Sequence, residues 1–199
     1  FLTAGVQLSQ QKRSATSPVG PYLFHPEGED RKIGLYAQGE FTYQERLTLI
    51  PGVRIDFGDV SPGAGPRSLG AEDVSDTAIS PKLAAMYKLN DNFSLFGSIA
   101  RTERLPTLDE RYSSEAASSL PARLISPDLK KEKADSIELG FTVQKKDLIS
   151  EGDSLQLKVT GFHNDVINMI TTTPRVTGGA AVPYFSNIAS AELWGAELE

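Results

Sequence analysis

The sequence predicts an all-β chain that folds as an antiparallel up-and-down transmembrane β-barrel. Eight segments alternate apolar and polar residues with a period of two, and the connections between them alternate between long and short. No apolar run approaches the roughly 18 residues that a membrane-spanning helix requires. Most of the segments are about ten residues long, which suits tilted strands that cross a bilayer.

The alternation is clearest in segments 33–43 and 47–57, where the odd positions are mostly apolar and the even positions mostly polar. Segments 79–89, 93–101, 137–144 and 155–160 repeat the pattern, whereas 1–10 and 185–199 follow it less regularly. We therefore expect one face of the sheet to meet lipid and the other to line a lumen. Pro51 lies within one strand, and we expect a β-bulge or another local irregularity beside it.

The connections indicate how the strands are threaded. They cover residues 11–32, 44–46, 58–77, 90–92, 102–135, 146–153 and 170–184. A strict alternation of long and short is what a meander through a membrane produces, with tight periplasmic turns and extended outer loops. Aromatic residues near the strand ends predict an interfacial girdle. They are Phe41, Tyr43, Phe57, Tyr87, Phe93, Tyr184 and Phe185.

Composition limits the chemistry available to the chain. Its 199 residues include no cysteine, two histidines, and 20 basic against 26 acidic residues, for a net charge of −6. The acidic excess argues against a nucleic-acid partner, and the absence of cysteine rules out thiolate sites. Catalytic motifs such as a nucleophile elbow or a phosphate-binding loop are absent. We predict neither an enzyme nor a metal site nor a prosthetic group.

Four stretches together resemble a known family. LFGSIARTERLPTLDERY, at 95–112, and SPDLKKEKADSIELGF, at 126–141, resemble the paired sequence boxes of TonB-dependent outer-membrane receptors. LYAQGEFTYQERLTLIPGVRIDF, at 35–57, is similar to the family's hairpin with an L-T-L-x-P-G-x-R core. YFSNIASAELWGAELE, at 184–199, resembles its strand of the N-x-x-x-A-x-x-x-G-x-E type. The four matches follow the family's order.

The resemblance implies a barrel of about 22 strands in the bacterial outer membrane, closed by an N-terminal plug. On this view residues 1–199 are a fragment that holds about eight of those strands and lacks the plug, which agrees with a first residue that is Phe1 rather than Met. The expected partners are outer-membrane lipid, the TonB complex acting through the plug, and a small iron chelate or a haem protein. The implied function is TonB-energised uptake of an iron source, either haem or a ferric siderophore.

The resemblance also implies candidate binding residues in segments 11–32 and 102–135. In haem receptors of this family a histidine between the two boxes ligates iron, and residues 113–126 contain none. Tyr112 and His25 are then the candidate axial ligands, because tyrosinate and neutral imidazole both bind iron. A ferric siderophore needs aromatic and cationic contacts rather than a protein ligand to the metal. The candidates for those contacts are Tyr22, Phe24, Arg104, Arg111 and Arg123.

Two other classes of protein fit the alternating strands alone. A passive porin-like or adhesive barrel would show the same periodicity, and so would a soluble β-sandwich that serves as a binding module. Only the four family-like stretches favour the receptor over another membrane barrel, whereas the alternation of long and short connections favours a membrane barrel over the sandwich.

Overall fold

The computed structural model describes residues 1–14, 18, 26–63, 71–147, 150, 152–188 and 190–199. These residues form thirteen strands and one short helix. They are β1 (Leu2–Arg13), β2 (Gly28–Gly39), β3 (Phe41–Tyr43), β4 (Leu47–Pro62), β5 (Val74–Lys88), β6 (Phe93–Arg104), α1 (Leu108–Tyr112), β7 (Arg123–Leu124), β8 (Glu132–Lys146), β9 (Ser154–Ile167), β10 (Ile170–Thr172), β11 (Val182–Pro183), β12 (Phe185–Asn187) and β13 (Ser190–Leu198). Within these residues no helix is long and apolar enough to cross a membrane.

The main sheet is an antiparallel meander in the order β1-β2-β4-β5-β6-β8-β9-β13, with β3 continuing beside β4. This confirms the predicted architecture, although the described strands form an open sheet with β1 and β13 at its two edges. The strands extend further than predicted at the ends that carry the long connections; β8, for example, begins at Glu132. Alternation is lost there because both faces of the sheet become polar, so periodicity could not reveal these ends.

The two faces of the sheet differ as the alternation predicts. Ile33, Leu35, Leu83, Ile99 and Leu139 all project from one face and are exposed, Leu139 at 71%. Direct cross-strand partners share a face, and pairs such as Ile99 with Ile137 and Tyr87 with Leu95 extend this apolar surface across the sheet. The opposite face carries the polar positions. An exposed apolar band on one side of a sheet is the property that contact with lipid requires.

The aromatic girdle is only partly present. Phe41 and Tyr43 are exposed beside the short turn at 44–46, and Tyr87 lies across from Leu47 on the same face. Tyr184, in contrast, is buried and packs against Phe185 with the two rings tilted by 39° and their centroids 4.9 Å apart. The prediction was wrong for this pair because both rings pack within the outer segments rather than at the edge of the apolar band.

Pro51 does not produce a bulge. Gln38 pairs with Gly52 and Phe41 pairs with Leu49, so the register between the strands is unchanged across the proline. The irregularity is instead a break in the partner strand at Glu40, whose N–H donates to the carbonyl of Phe1 at 2.8 Å.

Pro81 has a larger effect on the sheet. The β5–β6 pairing runs only from Lys88↔Ser94 to Lys82↔Ala100 and leaves residues 74–81 and 101–104 unpaired with each other. The N–H of Ile79 points toward β6, where it donates to the Glu103 carboxylate at 3.0 Å. Residues two apart in a strand point their amides to the same side, so Pro81 lacks the donor that would continue this ladder.

The turn at 44–46 offers a test of backbone strain. Gln44 and Glu45 have φ values of 49° and 57°, and the Arg46 N–H donates to the Tyr43 carbonyl at 3.1 Å. Both central residues are therefore left-handed, as in a type I′ turn, which favours Asn-Gly. We expect Gln44→Asn combined with Glu45→Gly to raise the free energy of unfolding by about 1 kcal/mol. Urea unfolding of the receptor in vesicles measures the change. Asp91→Gly, in a turn without positive φ, is the control, and a double variant no more stable than wild type contradicts the prediction.

Candidate ligand-binding site

The helix α1 lies inside the longest connection, where the sequence showed no periodicity. Its N-terminus is a capping box: the Thr107 hydroxyl accepts from the Glu110 N–H at 3.3 Å, and the Glu110 carboxylate accepts from the Thr107 N–H at 2.9 Å. The helix was missed because one turn is too short to show a helical period. The T-x-x-E pattern at 107–110 is the signal that could have found it.

Leu108 and Tyr112 anchor α1 to the end of β4. They form a buried cluster with Val60, against which Ala71 and Ile125 pack. Val60 lies at an even position of β4, as Arg54 and Asp56 do, so it belongs to the polar face of the sheet. The long connection therefore folds back over the face that lines the lumen.

Arg104 joins three elements at the base of this connection. It lies at the end of β6, and its guanidinium donates two bonds of 2.9 Å to the Glu110 carboxylate of α1. It also pairs with Glu132 at the start of β8. The two carboxylates occupy the N–H donors of the Arg104 guanidinium. The side chain therefore links β6, β8 and α1.

Arg111 and Tyr112 are both buried. Arg111 is 3% exposed and donates to the Pro127 carbonyl, and its Nε has no hydrogen-bond partner. Tyr112 is 2% exposed, and its hydroxyl donates to the Glu72 carbonyl at 2.8 Å. Burial lowers the pKa of Arg111 and raises the pKa of Tyr112. Both side chains are therefore shielded from a ligand in this conformation.

A second connection, at 168–188, is bound to the first one. β7 pairs in parallel with β11, and the Tyr184 N–H donates to the Leu124 carbonyl at 2.7 Å. The Asn187 amide both donates to the Lys130 carbonyl and accepts from the Lys130 N–H. We call residues 105–131 together with 168–188 the outer unit, because these contacts join them into one folded body.

Two arginines meet at the centre of the outer unit. Arg123 and Arg175 share the Glu115 carboxylate, at 3.3 and 3.1 Å. Arg123 also lies over the Tyr184 ring, 4.8 Å from its centroid, and donates to the Thr173 carbonyl. The Nε atoms of both arginines are buried without a partner. Two cations facing one carboxylate leave an excess positive charge at this point.

The structure brings four of the predicted site residues into one region. Arg104, Arg111, Tyr112 and Arg123 all lie in or at the base of the outer unit. The other candidates, Tyr22, Phe24 and His25, lie outside the described residues. Arg175 and Glu115 were missed by the sequence analysis because their meeting depends on contact between two distant connections. Arg175 is the single charged residue in 168–188. A lone charge in an otherwise neutral connection was the sequence feature that could have marked it as a candidate.

Comparison with known proteins identifies the fold. Residues 1–199 match the family described as TonB dependent receptor-like, beta-barrel. The chain belongs to this family. A solved structure of a double mutant of the Serratia marcescens hemophore receptor HasR, in complex with its hemophore HasA and heme, superposes with a TM-score of 0.82 at 22% identity. That superposition covers 99% of this chain and 35% of the HasR chain, and it shows the fold alone.

Two relatives of this TonB-dependent receptor barrel align over most of the chain. It is 29% identical to the Hemin receptor of Yersinia pestis over 98% of its own length and 29% of that receptor. It is also 29% identical to the TonB-dependent heme receptor A of Haemophilus influenzae, strain 86-028NP, over 90% of its length and 26% of that receptor. The chain thus spans under a third of either relative. Family membership rules out the soluble β-sandwich considered from the sequence.

Proposed function

We propose that this barrel wall serves in an outer-membrane receptor that takes up an iron source, either haem or a ferric siderophore, with energy supplied through TonB. The observation that carries the proposal is the outer unit, a folded body seated over the lumen-facing ends of β4 and β6. A fixed platform at the mouth of a barrel can bind a ligand without first ordering its own loops, which lowers the cost of binding. We expect transport and no catalytic activity.

The charge of the outer unit suits an anionic ligand. Residues 105–131 contain four basic and four acidic side chains, and 168–188 adds Arg175 alone. This unit is therefore slightly positive within a chain whose net charge is −6. Haem carries carboxylates, and ferric siderophores are often anionic chelates. The names of the two relatives favour haem over a siderophore.

For haem, we propose His25 rather than Tyr112 as the iron ligand. The Tyr112 hydroxyl is engaged by Glu72, and burial disfavours the tyrosinate that would bind iron. A Tyr112 ligand would have to break this bond and leave its packed site. His25 lies in the connection between β1 and β2 and is the remaining candidate from the sequence.

Titration of the intact receptor with haem, and separately with a panel of ferric siderophores, tests the function. We expect saturable haem binding. His25→Ala should weaken it and shift the haem absorption spectrum, whereas Tyr112→Phe, which keeps the ring, should change neither. A spectral shift in Tyr112→Phe but not in His25→Ala reverses the ligand assignment. Binding of neither haem nor any ferric siderophore overturns the proposal of an iron source.

A further inference from the structure

A cluster of metal-ligating side chains lies outside the outer unit, on the opposite face of the sheet. His163 and Asp165 belong to β9, and Glu192 belongs to the neighbouring strand β13. His163 pairs directly with Ile137 and Trp194, which places it at the edge of the apolar band. One ligand atom from each of the three side chains lies within 4.8 Å of the others. All three are accessible from outside the barrel wall.

The register places carboxylates directly opposite one another. Asp165 pairs with Asp135 on one side and with Glu192 on the other. Like charges in direct cross-strand pairs are destabilising. Arg101 compensates Asp135 through two bonds of 2.7 Å. Asp165 and Glu192 make no ion pair with lysine or arginine among the described residues, and their shared basic neighbour is His163.

His163 stands between the two carboxylates. Its Nε2 lies 2.8 Å from Glu192 Oε1 and its Nδ1 lies 4.0 Å from Asp165 Oδ2. Even a protonated imidazole supplies one positive charge against two carboxylates, so a net negative charge remains beside the apolar band. Charges near such a band are less well screened than charges in bulk water. A divalent cation would relieve the repulsion and connect β9 to β13.

We propose that His163, Asp165 and Glu192 form a binding site for a divalent transition-metal cation, with Zn²⁺ as the representative ion. One imidazole and two carboxylates are a donor set that zinc accepts, and three protein ligands leave a further position for water. The imidazole disfavours Ca²⁺ and Mg²⁺, which prefer oxygen ligands. The sequence predicted no metal site because no local pattern places a carboxylate of another strand beside His163. The register supplies the two carboxylates instead.

Zinc binding to the intact receptor, freed of metal with a chelator and held in detergent, tests the site. Isothermal titration with ZnCl₂ should show one more bound zinc in wild type than in His163→Ala. Where residual binding persists in the variant, its affinity should be lower by at least about tenfold, the loss typical of disturbing a metal site. Asp165→Asn and Glu192→Gln should behave alike. Glu138→Gln, which changes an exposed carboxylate on the lumen face of β8, is the matched control.

A second measurement separates a metal site from a purely structural ion pair. Co²⁺ bound to this donor set should give an absorption signature that is present in wild type and in Glu138→Gln and missing in His163→Ala. Zinc should also raise the thermal midpoint of wild type but not of His163→Ala. Equal zinc stoichiometry and affinity in wild type and His163→Ala overturn the proposal, as does binding of Ca²⁺ at the same strength as Zn²⁺. Haem titration of His163→Ala is expected to match wild type. The proposed zinc site and the proposed uptake of an iron source are therefore tested independently.

Discussion

Tyr112→Ala is expected to release the outer unit from the barrel wall. The ring is 2% exposed and packs with Leu108 and Val60, and its hydroxyl holds the Glu72 carbonyl. Removing a buried aromatic ring costs about 3–5 kcal/mol through lost burial and the cavity left behind. This cost falls on the packing contact between the outer unit and β4. The outer unit should therefore open locally while the strands stay paired.

Hydrogen exchange measured by mass spectrometry on the intact receptor follows this opening. Amides of 105–131 should exchange faster in Tyr112→Ala, those of β8 and β9 should not, and affinity for the iron source should fall. Leu124→Ala is the matched control, because Leu124 lies in the same connection but is 51% exposed. Tyr112→Phe keeps the ring and should behave close to wild type. Unchanged exchange across 105–131 in Tyr112→Ala contradicts the packing role.

Glu103→Ala should destabilise the wall where β5 and β6 separate. The Glu103 side chain is 7% exposed and pairs with Lys131 at 2.7 Å and Lys133 at 3.1 Å. It also accepts from the Ile79 N–H, which has no strand partner on that side. Removing the carboxylate takes this partner from two lysines and from a backbone N–H. Because both lysines keep partial access to water, and Lys131 also donates to the Thr77 carbonyl, the expected cost is about 1–3 kcal/mol.

The effect should appear in two measurements on the intact receptor. The midpoint of urea unfolding should fall. Amides of 74–80 should exchange faster, because Glu103 accepts from the Ile79 N–H where the pairing between β5 and β6 has ended beside Pro81. Glu103→Gln keeps an acceptor for Ile79 but loses both ion pairs, so it should lie between wild type and Glu103→Ala. Glu138→Ala on the adjacent strand is the control, since that carboxylate is exposed. If Glu103→Ala is no more destabilising than Glu138→Ala, Glu103 does not stabilise the junction between β5 and β6.

The strands and their faces could be predicted because they depend on local pattern. Ile33, Leu35 and their neighbours alternate with polar residues because one face of each strand meets an apolar environment and the other face meets a polar one. The short turn at 44–46 was placed correctly from the same alternation. Periodicity ends where both faces become polar, and for this reason the end of β4 and the start of β8, which adjoin long connections, were predicted too short.

The sequence named four candidate residues that the structure places in one region, but it did not predict the contacts that they make. Arg104, Arg111, Tyr112 and Arg123 were identified from the family-like stretches as residues that could contact a ligand. Their neighbours decide how they can act: Arg111 and Tyr112 are buried, and Arg104 is held by two carboxylates. These contacts join residues far apart in the chain, and no local pattern reports them.

Sequence pattern was thus sufficient for the meander, its apolar face and the family, because each of these repeats along the chain or is carried by contiguous motifs. Three features required the folded structure: the joining of 105–131 to 168–188, the closing of the β5–β6 gap by Glu103, and the cluster of His163, Asp165 and Glu192. Each depends on which strands are neighbours and in which register they pair. A shift of one residue would turn each of these side chains to the other face, so strand pairing rather than composition decides what they can bind.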